Sequence, residues 1–285
     1  MKFGVSLFTT DFAIPPHEAA KAAEDAGLES IWFPEHTHMP VETRFPMGDG
    51  QVPREYKCLM DPFIGLAAAA AVTKTIKLGT GICLIPQRDP LTLAKEVATL
   101  DVVSKGRVLL GIGAGWNEPE MLNHGTDPAH RFKVMRERVE AMKALWTQEE
   151  ASYEGDTVRF GPVWSYPKPI QKPHPPIIIG GIGPNIIRRV VSYGDGWMPI
   201  AFQMPFEALA ATIAEMRRLA WEAGRSGPEV TLFGVPTDVD GIAQFAAAGV
   251  DRAVWGIPSA DAATVLPIIE QYGAAAAAYR AAKGE

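Results

Sequence analysis

Residues 167–184 read Pro-Lys-Pro-Ile-Gln-Lys-Pro-His-Pro-Pro-Ile-Ile-Ile-Gly-Gly-Ile-Gly-Pro. A proline-rich approach leads into a short apolar strand at Ile177–Ile179, and the strand ends in glycines that open onto a helix. Glycine lets the backbone come close to a ligand, and Pro184 presets the first helical turn. The free N–H groups at such a helix N-terminus favour an anion. The stretch therefore predicts a site for the phosphate of a bound cofactor.

The rest of the chain repeats this unit of strand and helix. Short apolar runs that favour strands are each followed by a segment with the apolar spacing of a helix. The predicted strands are Phe3–Phe8, Ser30–Phe33, Ile76–Leu84, Arg107–Ile112, Ile177–Ile179, Trp197–Ile200, Val230–Val235 and Arg252–Ile257. Eight such units in 285 residues predict an α/β fold, a closed (β/α)8 TIM barrel that forms one domain over residues 1–285. An open doubly wound sheet is the alternative.

Two connections are longer than the others. Residues 35–60 follow the second predicted strand on its carboxyl side, where barrel active sites form, and are a candidate lid. Residues 147–176 precede the fifth predicted strand and contain a predicted hairpin over Ser152–Phe160. Long loops in a compact domain are usually functional or disordered, so the first one is expected to border the site.

Composition restricts the kinds of partner. The formal net charge of −6 argues against nucleic acid or an anionic membrane as a partner. Cys58 and Cys83 are too few for a disulfide framework, and no signal-peptide pattern follows Met1. The apolar run Phe63–Val72 is too short to span a bilayer. We therefore expect a cytoplasmic protein that acts on a small molecule.

Two histidines stand where the second predicted strand ends, at His36 and His38. A His-x-His pair suits the metal site of a barrel hydrolase, but such a site needs ligands from other strand ends. No metal is expected, because the remaining histidines do not follow later predicted strands: His17, His124, His130 and His174. His36 is instead a candidate proton donor or acceptor, since imidazole titrates near neutral pH. A purely structural hydrogen bond in the loop is the alternative for either histidine.

Glycines alternate along the fourth predicted strand, at Gly111, Gly113 and Gly115. Such bare backbone either allows close packing inside the barrel or leaves room for a flat ring against the strand. Trp116 and Asn117 follow directly and would flank such a ring, although Trp116 also suits an ordinary core. The spacing is not a dinucleotide fingerprint, because the last glycine of Gly-x-Gly-x-x-Gly is missing, and the chain has no P-loop.

Several segments together resemble the bacterial-luciferase-like superfamily, and specifically its branch of oxidoreductases that depend on the deazaflavin coenzyme F420. The resemblance covers nearly the whole chain, and its motifs are specific only when they are taken jointly. The segments that carry it are Phe3–Val5, Ser30–His36, Leu78–Ile82, Asp89-Pro90 with Leu93–Lys95, Gly106–Trp116 and Pro167–Gly181.

The resemblance implies a barrel with a hairpin inserted near the fifth strand and a two-electron cofactor in the barrel mouth. It implies that His36 lies near the reacting face of the cofactor ring and that a cis peptide joins Gly81 to Ile82 behind the ring. The cofactor's tail and phosphate would lie beside Gly115 and the glycines after the fifth strand. The residues expected to bind the cofactor are Glu35, Gly81, Ile82, Gly113, Gly115, Trp116, Asn117, Gly180, Gly181, Gly183 and Pro184.

One position departs from the family pattern. Relatives that oxidise a sugar phosphate carry a glutamate directly after the glycines of the fourth strand. This chain has Trp116 there, and Glu118 is offset by two residues. A sugar phosphate is therefore not expected as the substrate.

The expected function is hydride transfer between F420 and a small organic substrate. His36 would handle the proton, and the loop Thr37–Met60, with Arg44 and Tyr56, would shape the substrate pocket. Three alternatives stay open: an FMN-dependent monooxygenase of the same superfamily, a metal-dependent hydrolase, and a non-catalytic cofactor carrier. The family also implies a homodimer, for which the contact helices would be Pro62–Val72 and Leu91–Val103.

Overall fold

Strands and helices alternate through the computed structural model, which describes residues 1–284. The strands are β1 (Lys2–Leu7), β2 (Ser30–Phe33), β3 (Lys77–Thr80), β4 (Cys83–Leu84), β5 (Val108–Gly113), β6 (Ala151–Glu154), β7 (Arg159–Val163), β8 (Ile177–Gly180), β9 (Gly196–Met198), β10 (Glu229–Phe233) and β11 (Arg252–Ile257). This order agrees with the predicted sequence of strands to within a few residues at each end.

The helices lie between these strands. They are α1 (Pro16–Asp25), α2 (Arg54–Lys57), α3 (Pro62–Val72), α4 (Pro90–Val103), α5 (Glu118–Asn123), α6 (Arg131–Thr147), α7 (Ile186–Tyr193), α8 (Phe206–Glu222), α9 (Val239–Ala247) and α10 (Ala262–Lys283). Short 3-10 turns cover Ile85–Gln87, Pro128–His130 and Ala201–Gln203. Within residues 1–284, no helix has the length and apolar character needed to cross a membrane.

Eight strands form a closed parallel barrel in the order β1, β2, β3, β5, β8, β9, β10, β11. Strand pairing is continuous around the barrel. Lys2 pairs with Arg252 across β1 and β11, and Leu78 pairs with Val108 across β3 and β5. The predicted (β/α)8 barrel is confirmed, and the open sheet is wrong because β3 and β5 are joined.

The segments outside the barrel correct two predictions. The hairpin before the fifth barrel strand exists, but it is formed by β6 and β7 and extends to Val163 rather than ending at Phe160. The predicted strand Ile76–Leu84 is two strands, because β3 ends at Thr80 and β4 pairs with β5 beyond Gly81 and Ile82. The break brings Ile82 to the carboxyl face of the barrel.

The barrel interior is filled by side chains, so it is a packed core and not a pore. The inward-facing cluster consists of Trp32, Leu109, Ile178, Met198 and Val254. Trp32 is fully buried, and its indole N–H donates to Ser30 Oγ at 3.0 Å. Gly79 on the neighbouring strand leaves the space for this ring, because a Cβ there would overlap it. Large and small residues thus alternate across facing strands, as close packing requires.

A charged cluster occupies the amino-terminal end of the barrel. Arg252 is 1% exposed and donates from Nε to Glu29 at 2.8 Å, from Nη1 to Thr231 at 2.9 Å, and to Glu229. Burial by itself would raise the pKa of Glu229, but the charges of Arg252 and Lys2 lower it below its ordinary value. The opposite, carboxyl end is the one that carries the loops after β2 and β5.

Glu24 fixes the turn that leads into β3. One of its carboxylate oxygens accepts from the backbone N–H groups of Lys74 at 2.8 Å, Thr75 at 2.6 Å and Ile76 at 3.0 Å. Partial burial would raise the pKa of Glu24, but these hydrogen bonds lower it to about 2. The folded state therefore stabilises the ionised carboxylate of Glu24 more than the unfolded chain does.

We expect Glu24→Gln to lower the free energy of unfolding by about 1 kcal/mol at neutral pH, because the charge-assisted hydrogen bonds become neutral ones. Since the folded pKa is depressed, this stability is present above the ordinary value of 4.5 and is lost as the pH falls toward about 2. Urea unfolding of both proteins across this range measures the difference. Glu270→Gln, on the exposed side of α10, is the control, and a difference that does not change with pH would contradict the assignment.

Candidate active site

The candidate site lies at the carboxyl end of the barrel, where the ends of β2, β3, β5 and β8 meet. The structure brings the predicted residues together in two groups. His36, after β2, lies beside Trp116, after β5, with ring centroids 5.5 Å apart. Ile82, after β3, packs against Gly113 and against Gly180 at the end of β8.

His36 is held by a carboxylate that the sequence analysis did not identify. Its Nδ1 lies 2.6 Å from Glu120 Oε2, and the N–H of Thr37 donates to Glu120 Oε1 at 3.1 Å. Glu120 is completely buried. A carboxylate only accepts hydrogen bonds, so Nδ1 carries the proton and Nε2 is the ring nitrogen left for chemistry.

His38 has other partners and does not join His36. Its Nδ1 lies 3.0 Å from the Thr37 hydroxyl and its Nε2 lies 3.0 Å from Asn123 Nδ2, while His124 Nε2 lies 2.7 Å from the same hydroxyl. Burial, together with the charge of His38, lowers the pKa of His124. In the part of the chain that the structure describes, no three His, Cys, Asp or Glu side chains are grouped as metal ligands.

Glu35 is engaged inside the protein. It is 3% exposed, and its two oxygens accept from Leu84 N at 2.6 Å and from Arg88 Nε at 2.5 Å. Arg88 also binds Asp61 at 2.5 Å and Glu96 at 3.0 Å. Burial alone would lower the pKa of Arg88, but the charge of Glu35 raises it above its ordinary value. The carboxylate of Glu35 therefore holds the segment after β3 in place.

The segment after β3 carries Ile82 across the bare backbone of two strands. The peptide bond between Gly81 and Ile82 is cis. A Cβ on Gly113 would overlap Ile82 Cδ1, and one on Gly180 would lie 3.0 Å from Ile82 Cγ2. Ile82 therefore fills the space beside Gly113, which agrees with the interpretation that the glycines of this strand allow close packing. The Ile82 side chain provides the apolar surface at this point.

The glycine loop after β8 is open. Gly181 and Gly183 have φ of +98° and +121°, both are exposed, and a Cβ at either would meet nothing within 4 Å. Helix α7 begins at Ile186, and the side chain of the preceding Asn185 does not cap it. The prediction that Pro184 forms the first helical turn is wrong, because the helix begins two residues later. The uncapped N–H groups at this end still suit an anion.

Gln87 is a second residue that the sequence analysis missed. It is 7% exposed, and neither Nε2 nor Oε1 has a hydrogen-bond partner among the described residues. Its Nε2 lies 3.7 Å from the position of a Cβ on Gly115, whose φ is +81°. An unpaired buried amide is costly, so a ligand or a water in this place would satisfy it.

Four aromatic side chains form what we call the aromatic wall around His36: Phe8, Phe45, Tyr56 and Trp116. The ring of Tyr56 lies 5.6 Å from that of His36 and 4.8 Å from that of Phe8. Phe45 lies 4.9 Å from Tyr56 and 5.6 Å from Trp116. All four are half-buried. The predicted loop after β2 thus contributes two of the four rings, Phe45 and Tyr56, and Tyr56 packs directly against the histidine.

Asn117 supports the same loop. Its Oδ1 accepts from the Thr43 hydroxyl at 3.3 Å, and its Nδ2 lies 3.1 Å from Met39 Sδ. The segment after it, Glu118–Asn123, was not predicted as a helix. Proline at the second position with acidic residues around it is a helix-start signal, and this signal could have located α5 and Glu120.

Comparison with known proteins identifies relatives over the whole barrel. The family model of luciferase-like monooxygenases matches residues 1–278. An uncharacterized protein of Mycobacterium tuberculosis is 39% identical over 281 residues, which cover 96% of this chain and 98% of that protein.

Solved structures share the fold at low sequence identity. The monooxygenase RslO1 from Streptomyces bottropensis superposes with a TM-score of 0.81 at 22% identity, covering 98% of this chain and 99% of its own. An F420-dependent secondary alcohol dehydrogenase, in complex with an F420–acetone adduct, gives a TM-score of 0.77 at 21% identity and covers 98% and 100%. With the family match over nearly its full length, this chain belongs to the luciferase-like monooxygenase family of enzymes.

Proposed function

We propose that this protein is an oxidoreductase that transfers a hydride between coenzyme F420 and a small organic substrate, with His36 as the proton donor or acceptor. The observation that carries the proposal is the contact between His36 and Glu120. It leaves Nε2 as the reactive nitrogen at the barrel mouth, beside Trp116 of the aromatic wall. A histidine held by a buried carboxylate is a common arrangement for moving a proton.

The residues at the mouth fit a cofactor with a phosphate-bearing tail. Gly181 and Gly183 offer open backbone next to the uncapped N-terminus of α7, which suits a phosphate. The unpartnered amide of Gln87, beside Gly115, suits a polar group of the tail. Ile82 would support one face of the ring. When bound, the deazaflavin supplies two-electron hydride chemistry, which no side chain of the protein can provide.

The side chains of the protein would handle the proton and the solvent. His36 Nε2 would accept the proton of a substrate hydroxyl, or return it to a carbonyl oxygen in the reverse direction. Glu120 would orient the imidazole through Nδ1 and stabilise it when it is charged. The aromatic wall would keep water away from the atoms that react.

An FMN-dependent monooxygenase is the second candidate function. The family takes its description from such oxygenases, and RslO1, which has the same fold, is a monooxygenase. The open glycine loop would suit the phosphate of FMN as well as that of F420. The histidine and its carboxylate favour the hydride-transfer function, because that reaction needs a proton donor or acceptor at the substrate oxygen.

We expect the protein to bind F420 at least about tenfold more tightly than FMN, measured as quenching of tryptophan fluorescence during titration. Gly183→Ala should weaken binding about tenfold, since a side chain at this positive φ strains the loop that would hold the phosphate. Gly224→Ala, at a positive φ in the turn after α8, is the matched control and should leave affinity unchanged. Tighter binding of FMN would reject F420 as the cofactor.

We expect His36→Ala to lower turnover of any accepted substrate by about 10²- to 10⁴-fold while cofactor affinity stays constant, because the variant lacks the proton-transfer group. Glu120→Gln should lower turnover to a smaller extent, since an amide can still orient the ring without matching its charge. Single-turnover kinetics with loaded enzyme would measure both. His38→Ala, whose ring contacts Thr37 and Asn123, should keep its activity. Undiminished turnover in His36→Ala would remove this residue from the mechanism.

We also expect a homodimer that forms through α3 and α4. These helices expose large apolar side chains: Ile64, Val72, Leu91, Val102 and Val103. Burial of such a surface would drive association. Light scattering at micromolar concentration should give twice the mass of the chain, and Ile64→Asp should yield monomers. A monomeric mass for the unaltered protein would contradict this expectation.

A further inference from the structure

The polar groups around His36 are mostly satisfied by the protein itself. Asn117 is engaged by Thr43 and Met39, and Glu120 by His36 and Thr37. Arg88, a half-buried cation of this region, is shared among three carboxylates. A ligand beside His36 would therefore meet few polar side chains in need of a partner.

Three polar atoms remain suited to contact a ligand at the aromatic wall. The first is Nε2 of His36. The second is the hydroxyl of Tyr56, whose ring lies 5.6 Å from that of His36. Burial, with the nearby charge of Glu55, raises the pKa of Tyr56, so the hydroxyl remains a hydrogen-bond donor at neutral pH. The third is the indole N–H of Trp116, which can only donate. The rest of the surroundings is aromatic carbon from the rings of Phe8, Phe45 and Trp116.

Such surroundings discriminate between chemical classes of substrate. Aromatic faces and edges attract flat apolar groups and pack against them. An ionised carboxylate or phosphate would lose its water there without gaining a buried cation, which is strongly unfavourable. The loop does carry a cation, Arg44, next to Phe45 in sequence, but its side chain is exposed to solvent.

We propose that the substrate is an uncharged, ring-sized apolar molecule with a single hydroxyl or carbonyl group, placed against the aromatic wall and beside His36. This inference rests on the proposed hydride transfer. In the alcohol direction, bound oxidised F420 would take the hydride from the carbinol C–H bond, His36 Nε2 would take the O–H proton, and the C=O bond would form. The carbonyl direction returns the same hydride and proton.

The experiment compares two molecules of nearly the same shape, 1-phenylethanol and mandelate, in which a carboxylate replaces the methyl group. Binding is measured by calorimetry to the F420-loaded protein and to the protein alone. We expect 1-phenylethanol to bind at least about tenfold more tightly than mandelate. Trp116→Ala should weaken binding of the alcohol about tenfold, and Trp116→Phe, which keeps a ring, should retain it within about threefold.

Arg44→Ala separates the two classes of substrate. Under the proposal, it changes the affinity for 1-phenylethanol by less than about twofold. Equal or tighter binding of mandelate, with loss of that binding in Arg44→Ala, would overturn the proposal in favour of an anionic substrate. It is equally overturned if 1-phenylethanol binds to neither form of the protein, or binds folded Trp116→Ala as tightly as the unaltered protein. Binding of F420 itself is measured separately by tryptophan fluorescence. If F420 does not bind, that result contradicts the proposed function.

Discussion

The buried carboxylate of Glu35 is the constraint on which both sides of the candidate site depend. It ties the end of β2 to the segment after β3 through Leu84 N and Arg88. That segment carries Ile82, which covers the bare backbone of β5 and β8, and Gln87, which lies beside Gly115. Because His36 is the next residue after Glu35, the same tie sets where the histidine leaves the strand. A buried carboxylate is costly unless all its hydrogen bonds are made, and here both oxygens have protein donors.

A second buried carboxylate, Glu120, joins the histidine to the other half of the mouth. It comes from α5, after β5, so the contact links the loops that follow two different barrel strands. Glu35, directly before His36, is thus anchored to the segment after β3, and Glu120 binds both His36 and Thr37, the residue after it. The glycine loop after β8 is exposed, and it is held at Gly181, whose carbonyl oxygen accepts from Trp197 Nε1 at 2.8 Å. The site therefore combines a rigid proton-handling side with an open side suited to a ligand's anionic tail.

Much of the architecture could be predicted from the sequence, because each barrel strand is a short apolar run and each helix has its own periodicity. Strands β2 and β11 and helix α3 were predicted with their observed bounds, and most of the other elements lie within a few residues of the prediction. Ile76–Leu84 was mistaken for one strand, since Gly81 and Ile82 do not interrupt an apolar pattern. Helix α5 was missed because its six residues are too few for a periodic signal.

The glycines of β5 mark the limit of inference from a pattern. Alternation at Gly111, Gly113 and Gly115 fits both a bare platform for a ring and close packing. Ile82 overlaps the position that a Cβ on Gly113 would occupy, and it belongs to a segment about thirty residues away in the chain. The contact between Ile82 and Gly113 therefore cannot be predicted from the local sequence of either segment.

By itself, the sequence determined the order of strands and helices, the closed barrel, and the presence of His36 and the glycine loop at the carboxyl ends of strands. These follow from local periodicity and from the geometry that places all such ends on one face. Only the tertiary structure decided that Glu120 holds His36, that Arg88 holds Glu35, and that the rings of Tyr56 and Trp116 pack against the histidine. These contacts join residues far apart in the chain, and they depend on strand register and side-chain packing, which no single segment encodes.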